Sequence, residues 1–65
     1  MATVWVYIDP EGVEKGRSEP FGDRQAAEDW MALAWEDLLN QGFAEAALTD
    51  LEDGSTVYRM GLGPA

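Results

Sequence analysis

The spacing of apolar positions changes several times along this chain, and each change marks an element. From Thr3 to Ile8, β-branched and aromatic residues alternate as in a strand with two usable faces. Val4, Val6 and Ile8 point to one side, Trp5 and Tyr7 to the other. Asp9-Pro10-Glu11-Gly12 follows, with Asp at turn position i, Pro at i+1 and Gly at i+3, the chemistry of a type I turn. Val13 to Arg17 then reads as a short, charged returning strand suited to a sheet edge. Ser18 to Gly22 is a loop in which Pro20 holds Glu19 extended.

From Asp23 the spacing becomes helical. Asp23 can cap through its side-chain oxygen, and the helix is predicted from Arg24 to Gln41. Gly42 suits a left-handed helix ending, after which Phe43 folds back onto Leu38 in a Schellman arrangement. Glu45 to Asp50 and Thr56 to Leu62 read as two strands of a hairpin, with Asp53-Gly54 as its turn signal. Leu48 then faces inward with Tyr58, Met60 and Leu62. Residues 61–65 are expected to fray as a mobile tail. The predicted fold is a single α+β domain of order ββαββ over residues 1–65, a mainly antiparallel sheet with one long helix packed across it.

Length and composition limit what such a domain can do. At 65 residues the core is marginal, and with no cysteine the chain has no disulfide to reinforce it. Self-association as a homodimer is therefore one route to stability. Without histidine or cysteine the usual zinc, copper, haem and iron–sulfur ligands are missing, so no metal or cofactor is expected. Hydrophobic residues make up 46% of the chain, which favours folding over disorder. No apolar run approaches the roughly 20 residues that span a bilayer, and no membrane association is expected. The Met1–Trp5 segment lacks the basic region of a signal peptide, so the cytoplasm is the expected location.

Charge and the missing side chains narrow the function classes further. Thirteen acids against four bases give a net charge of −9, which repels phosphate backbones and argues against direct nucleic-acid binding. Neither a Ser–His–Asp nor a Cys–His pair can be assembled. Carboxylates are plentiful, but one helix on a small sheet offers little depth for a cleft that shifts their pKa values. Read as a calcium loop, the Asp53-Gly54 segment puts Thr49 and Leu51 at the first two ligand positions, and the pattern fails. Gly61-x-Gly63 has no helix after it to cradle a phosphate. The expectation is a binding protein and not an enzyme.

Three surfaces are candidates for binding. If Val4, Val6 and Ile8 lie under the helix, Trp5 and Tyr7 stand on the far side of the sheet with Val57 and Arg59, a composition enriched at interfaces. The competing arrangement folds the loop around Phe21 over those rings as a second small core. On the helix, Ala27, Trp30, Met31, Ala34, Trp35, Leu38 and Leu39 form a broad apolar arc. Either all of it covers the sheet, or one border, at Trp30 or Trp35, stays open for a partner or a second copy. The opposite helix face carries Leu33 amid Asp29, Glu36 and Asp37, an apolar spot ringed by acids.

Trp5-Val6-Tyr7, Asp9-Pro10-Glu11-Gly12, Gly16 with Pro20-Phe21, and Gly42-Phe43 together resemble the motifs of GYF adaptor domains. Those are small ββαββ modules that bind proline-rich peptides on aromatic residues. The resemblance covers about a quarter of the chain. Arg17-Ser18-Glu19 separates the glycine from Pro20-Phe21, the later motif lacks its tyrosine, and the helical segment is longer than in that family. It implies a proline-rich ligand stacked on Trp5 and Tyr7. The leading expectation is thus a protein-interaction module binding a protein or peptide, with Trp5 and Tyr7 as anchors and Arg59 as a polar contact. The alternatives are an acidic inhibitor or nucleic-acid mimic presenting Asp29, Glu36 and Asp37 around Leu33 to a basic site, and an obligate homodimer.

Overall fold

Four strands and one helix make up the computed structural model, which describes residues 2–63. The strands are β1 (Thr3–Ile8), β2 (Glu14–Arg17), β3 (Glu45–Asp50) and β4 (Thr56–Gly61), and the helix is α1 (Arg24–Asn40). All strand pairs are antiparallel, in the order β2-β1-β3-β4. The fold is the expected α+β arrangement in ββαββ order, with β2 and β4 as the two sheet edges.

Local chemistry sets the boundaries. Asp9 closes the first turn: its carbonyl accepts from Gly12 N–H at 3.0 Å, and its Oδ1 accepts from Glu11 and Val13 N–H at 3.0 and 2.8 Å. Asp23 caps α1 by accepting from Ala26 N–H at 2.7 Å. The helix ends one residue before the expected Gln41, which is its C-cap. Gly42 takes φ +101°, and Gly42 and Phe43 donate to the carbonyls of Leu39 and Leu38, the paired bonds of a Schellman ending. In the second hairpin, Gly54 takes φ +75°, and Asp50 Oδ1 accepts from Glu52 N–H at 2.8 Å.

The helix lies on the opposite face of β1 from the one expected. Trp5 pairs with Leu48 and Leu48 with Tyr58, so these three residues share a sheet face. Trp5 and Leu48 are fully buried beneath α1, in one core with Ala27, Met31, Leu38, Ala46 and Leu62. Val4, Val6 and Ile8 form a separate buried strip with Ala47 on the reverse face. There the register sets Arg17 opposite Val6 and Arg59 opposite Ala47. The aromatic face has more area to bury, and so takes the helix.

The chain after β4 also departs from expectation at its start. Gly61 is the last residue of β4, and Leu62 is buried, its N–H donating to Ala44 O at 2.9 Å, so neither belongs to a frayed tail. Pro64 and Ala65, the end of that expected tail, lie outside the described residues.

Candidate functional site

The anchors expected from the sequence are placed apart. Trp5 is closed off from solvent: its indole N–H donates to the Ala27 carbonyl at 2.8 Å, satisfying the one polar atom a buried tryptophan carries. Arg59 stands on the reverse face, not beside Trp5 and Tyr7, and its guanidinium donates two hydrogen bonds to Glu45, at 3.0 and 2.8 Å. That contact holds the Glu45 carboxyl below the usual glutamate range.

Tyr7 is half-buried on the helix side of the sheet. Its ring crosses the edge strand at Gly16, where a Cβ would meet the ring at 3.1 Å. It stacks near Trp30 at 6.4 Å and tilts against Phe43 at 5.2 Å, and Phe21 completes the group at 5.6 Å from Trp30. Burial pushes the Tyr7 phenol up from its usual pKa. The Phe21 loop does fold back, bonding to Thr3 in both directions at 2.9 and 2.7 Å. It closes the main core on the β2 side of α1, so Tyr7 and Trp30 serve as its half-buried wall.

The other border of α1 is open. Met31 and Leu38 turn into the core, and Trp35 between them stays 41% exposed. Tyr58, on the facing edge strand, is also 41% exposed. The two rings flank a groove of about 210 Å³ whose deep surface is Trp5, Met31 and Met60, with Ala32 and Glu28 along the helix side. Tyr58 is fixed from both sides: Trp5 meets it edge-on at 6.4 Å, and the Arg24 guanidinium lies 5.6 Å from its ring centroid. Arg24 in turn sits 3.8 Å from Glu28. Larger hollows of about 560 and 540 Å³ lie toward Leu62 and toward Phe43. Trp35 also borders the former, while the latter is lined by Pro10, three glycines, Ala44 and the half-buried Leu39 and Phe43. Exposed aromatic area, more than volume, makes the smaller groove the better candidate.

Tyr58 is not among the binding residues expected from the sequence, which sets it with the inward-facing Leu48, Met60 and Leu62. Its inward direction is right, but β4 is an edge strand, which leaves the residue 41% exposed. The acidic crest of α1 stands as expected: Leu33 is 86% exposed, and Asp29, Glu36 and Asp37 are exposed around it. All four basic side chains lie within 4.0 Å of an acid (Lys15 with Asp9, Arg17 with Glu14, Arg24 with Glu28, Arg59 with Glu45), so the crest acids have no basic neighbour among the described residues. No helix among the described residues is long and apolar enough to cross a membrane. Compared with family models, curated proteins and solved structures, the chain has no significant match.

Proposed function

We propose that this chain is a protein-interaction module whose binding surface is the groove between α1 and β4, with Trp35 and Tyr58 as its anchors. One observation carries the reading: the two most exposed aromatic rings stand on opposite walls of the same apolar groove. Rigid rings held on two secondary-structure elements offer contact area at low entropic cost, the property that makes Trp and Tyr frequent hot spots. The partner is a protein or peptide, and a cytoplasmic setting goes with a chain free of cysteine.

The test compares capture of host proteins by wild type, Trp35→Ala and Tyr58→Ala, each first shown to be folded by thermal unfolding. Loss of the same captured protein with both variants supports the groove. Undiminished capture by both rejects it.

A second reading rests on the 86% exposure of Leu33 within the acidic stripe of Asp29, Glu36 and Asp37. Such a crest suits the basic site of a nucleic-acid-binding partner, as an inhibitor or mimic would. Under that reading Leu33→Ala and Glu36→Lys abolish capture while the groove variants retain it, and binding weakens steeply with salt.

A further inference from the structure

The groove is bounded by a sheet edge, and the two edges of this sheet differ. β2 is short and charged, four residues of which three carry charge, which discourages pairing with another strand. A register irregularity is common to both edges, between Tyr7 and Ile8 beside β2 and between Leu48 and Thr49 beside β4. β4 runs six residues without proline, and its one charge, Arg59, is turned onto Glu45 on the face away from α1. Leu62 N–H points inward to Ala44 O, so strand alternation directs the N–H groups of Gly61 and Arg59 outward from the sheet. Among the described residues no strand pairs with this backbone edge, which runs along the lip of the aromatic groove.

We infer that β4 accepts an extended, lysine- or arginine-bearing segment of a partner protein as a fifth strand. The partner's backbone pairs with Arg59 and Gly61, and alternate side chains enter the groove between Trp35 and Tyr58. This rests on the groove being the binding surface and adds the mode of binding and the chemistry of the partner. The charge distribution selects that chemistry. All four bases are already paired internally, so nine acids are left over, the net charge of −9. Glu52 and Asp53 stand in the turn where β4 begins, and Glu36 beside Trp35 on the helix. A basic strand lying on β4 meets complementary charge along its path, whereas a second copy of the chain would bring another nine negative charges to the same edge. Strand addition divides the work as these features require: backbone bonds supply affinity, and the pocket reads every second side chain.

The test selects binders from a random linear peptide library displayed on phage, then studies the best peptide in synthetic form. The expected peptides carry Lys or Arg and an alternating apolar pattern. On binding, the Arg59 and Gly61 amides become protected from hydrogen exchange. N-methylation of the peptide amides that face β4 weakens binding about tenfold or more, and Trp35→Ala weakens it too. If Trp35→Ala or Tyr58→Ala reduces affinity while N-methylation and amide exchange show no effect, strand addition is wrong and the groove remains the site. Acidic or neutral binders overturn the charge assignment. Protection of Arg59 and Gly61 in the free protein, together with a dimer mass in sedimentation, gives the edge to a second copy and overturns the proposal. An absence of binders, or binders indifferent to Trp35→Ala and Tyr58→Ala, removes both the strand-addition mode and the groove.

Discussion

The indole N–H of Trp5 donates to the carbonyl of Ala27 at 2.8 Å, joining the first strand to the first turn of the helix across the core. The bond makes full burial of this tryptophan possible, because a buried donor without a partner would oppose it. The small side chain of Ala27, itself fully buried, lets the ring reach that carbonyl.

Trp5→Ala is therefore a core deletion. It should cost about 3–5 kcal/mol, most of the stability expected of so small a domain, and leave the chain largely unfolded at room temperature. Trp5→Phe keeps much of the area and loses the bond, at about 1–3 kcal/mol. Trp35→Ala, on the open border, should cost the fold clearly less than either. Denaturant unfolding of the three variants gives the order, and a Trp5→Ala protein as stable as Trp35→Ala would contradict the core placement.

Gly42 carries the helix ending at φ +101°, a conformation that strains any residue with a Cβ. Gly42→Ala should cost about 1 kcal/mol and lower the melting temperature by several degrees. Gly22, with open space at its Cβ position and no positive φ, is the control. Gly22→Ala should be neutral or stabilising by up to about 1 kcal/mol. Equal melting temperatures for the two variants would show that the Schellman ending contributes nothing.

Excess charge gives a salt prediction. The four ion pairs are exposed surface pairs, which contribute little to stability and weaken with salt. Against them stands the mutual repulsion of nine unmatched acids on a small body. Repulsion should dominate, so the melting temperature rises between low salt and about 0.5 M sodium chloride, where the Debye length falls well below 10 Å. A falling curve would mean that the local pairs outweigh the net charge.

The Glu45–Arg59 pair predicts a pH signature. Hydrogen bonding from Arg59, with its positive charge adding to it, depresses the Glu45 pKa in the folded state. A depressed carboxylate contributes stability that is complete above its unfolded value, ordinarily near 4.5, and is lost as pH falls through the lower folded value. Glu45→Gln should thus melt below wild type at neutral pH, and the two curves should converge in acid. A difference that persists after Glu45 is protonated would assign the effect to shape and not to charge.

Much of the backbone was legible from local chemistry. The Asp9-Pro10-Glu11-Gly12 turn, the Asp23 cap, the Gly42 ending and the Asp53-Gly54 hairpin each involve residues a few positions apart, whose preferences hold in any context. These signals placed every element to within a residue or two. The candidate site was legible only in part: the helical arc marked Trp35 as a border residue, and nothing local marked Tyr58 as exposed.

Which face of β1 meets the helix was decided by tertiary structure alone. Alternation in β1 sets three aliphatic residues on one side and two aromatic rings on the other, and both faces are apolar enough to be buried. Only the pairing of Trp5 with Leu48, and of Leu48 with Tyr58, makes the aromatic side continuous with the hairpin's inward face. The same pairing sends Arg59 to the reverse face and leaves Tyr58 at an edge. A strand's period of two divides residues into sides, but the choice between those sides comes from neighbours distant in sequence. The sequence alone therefore determined the elements and their turns, while the core, the groove and the free edge arise from contacts between them.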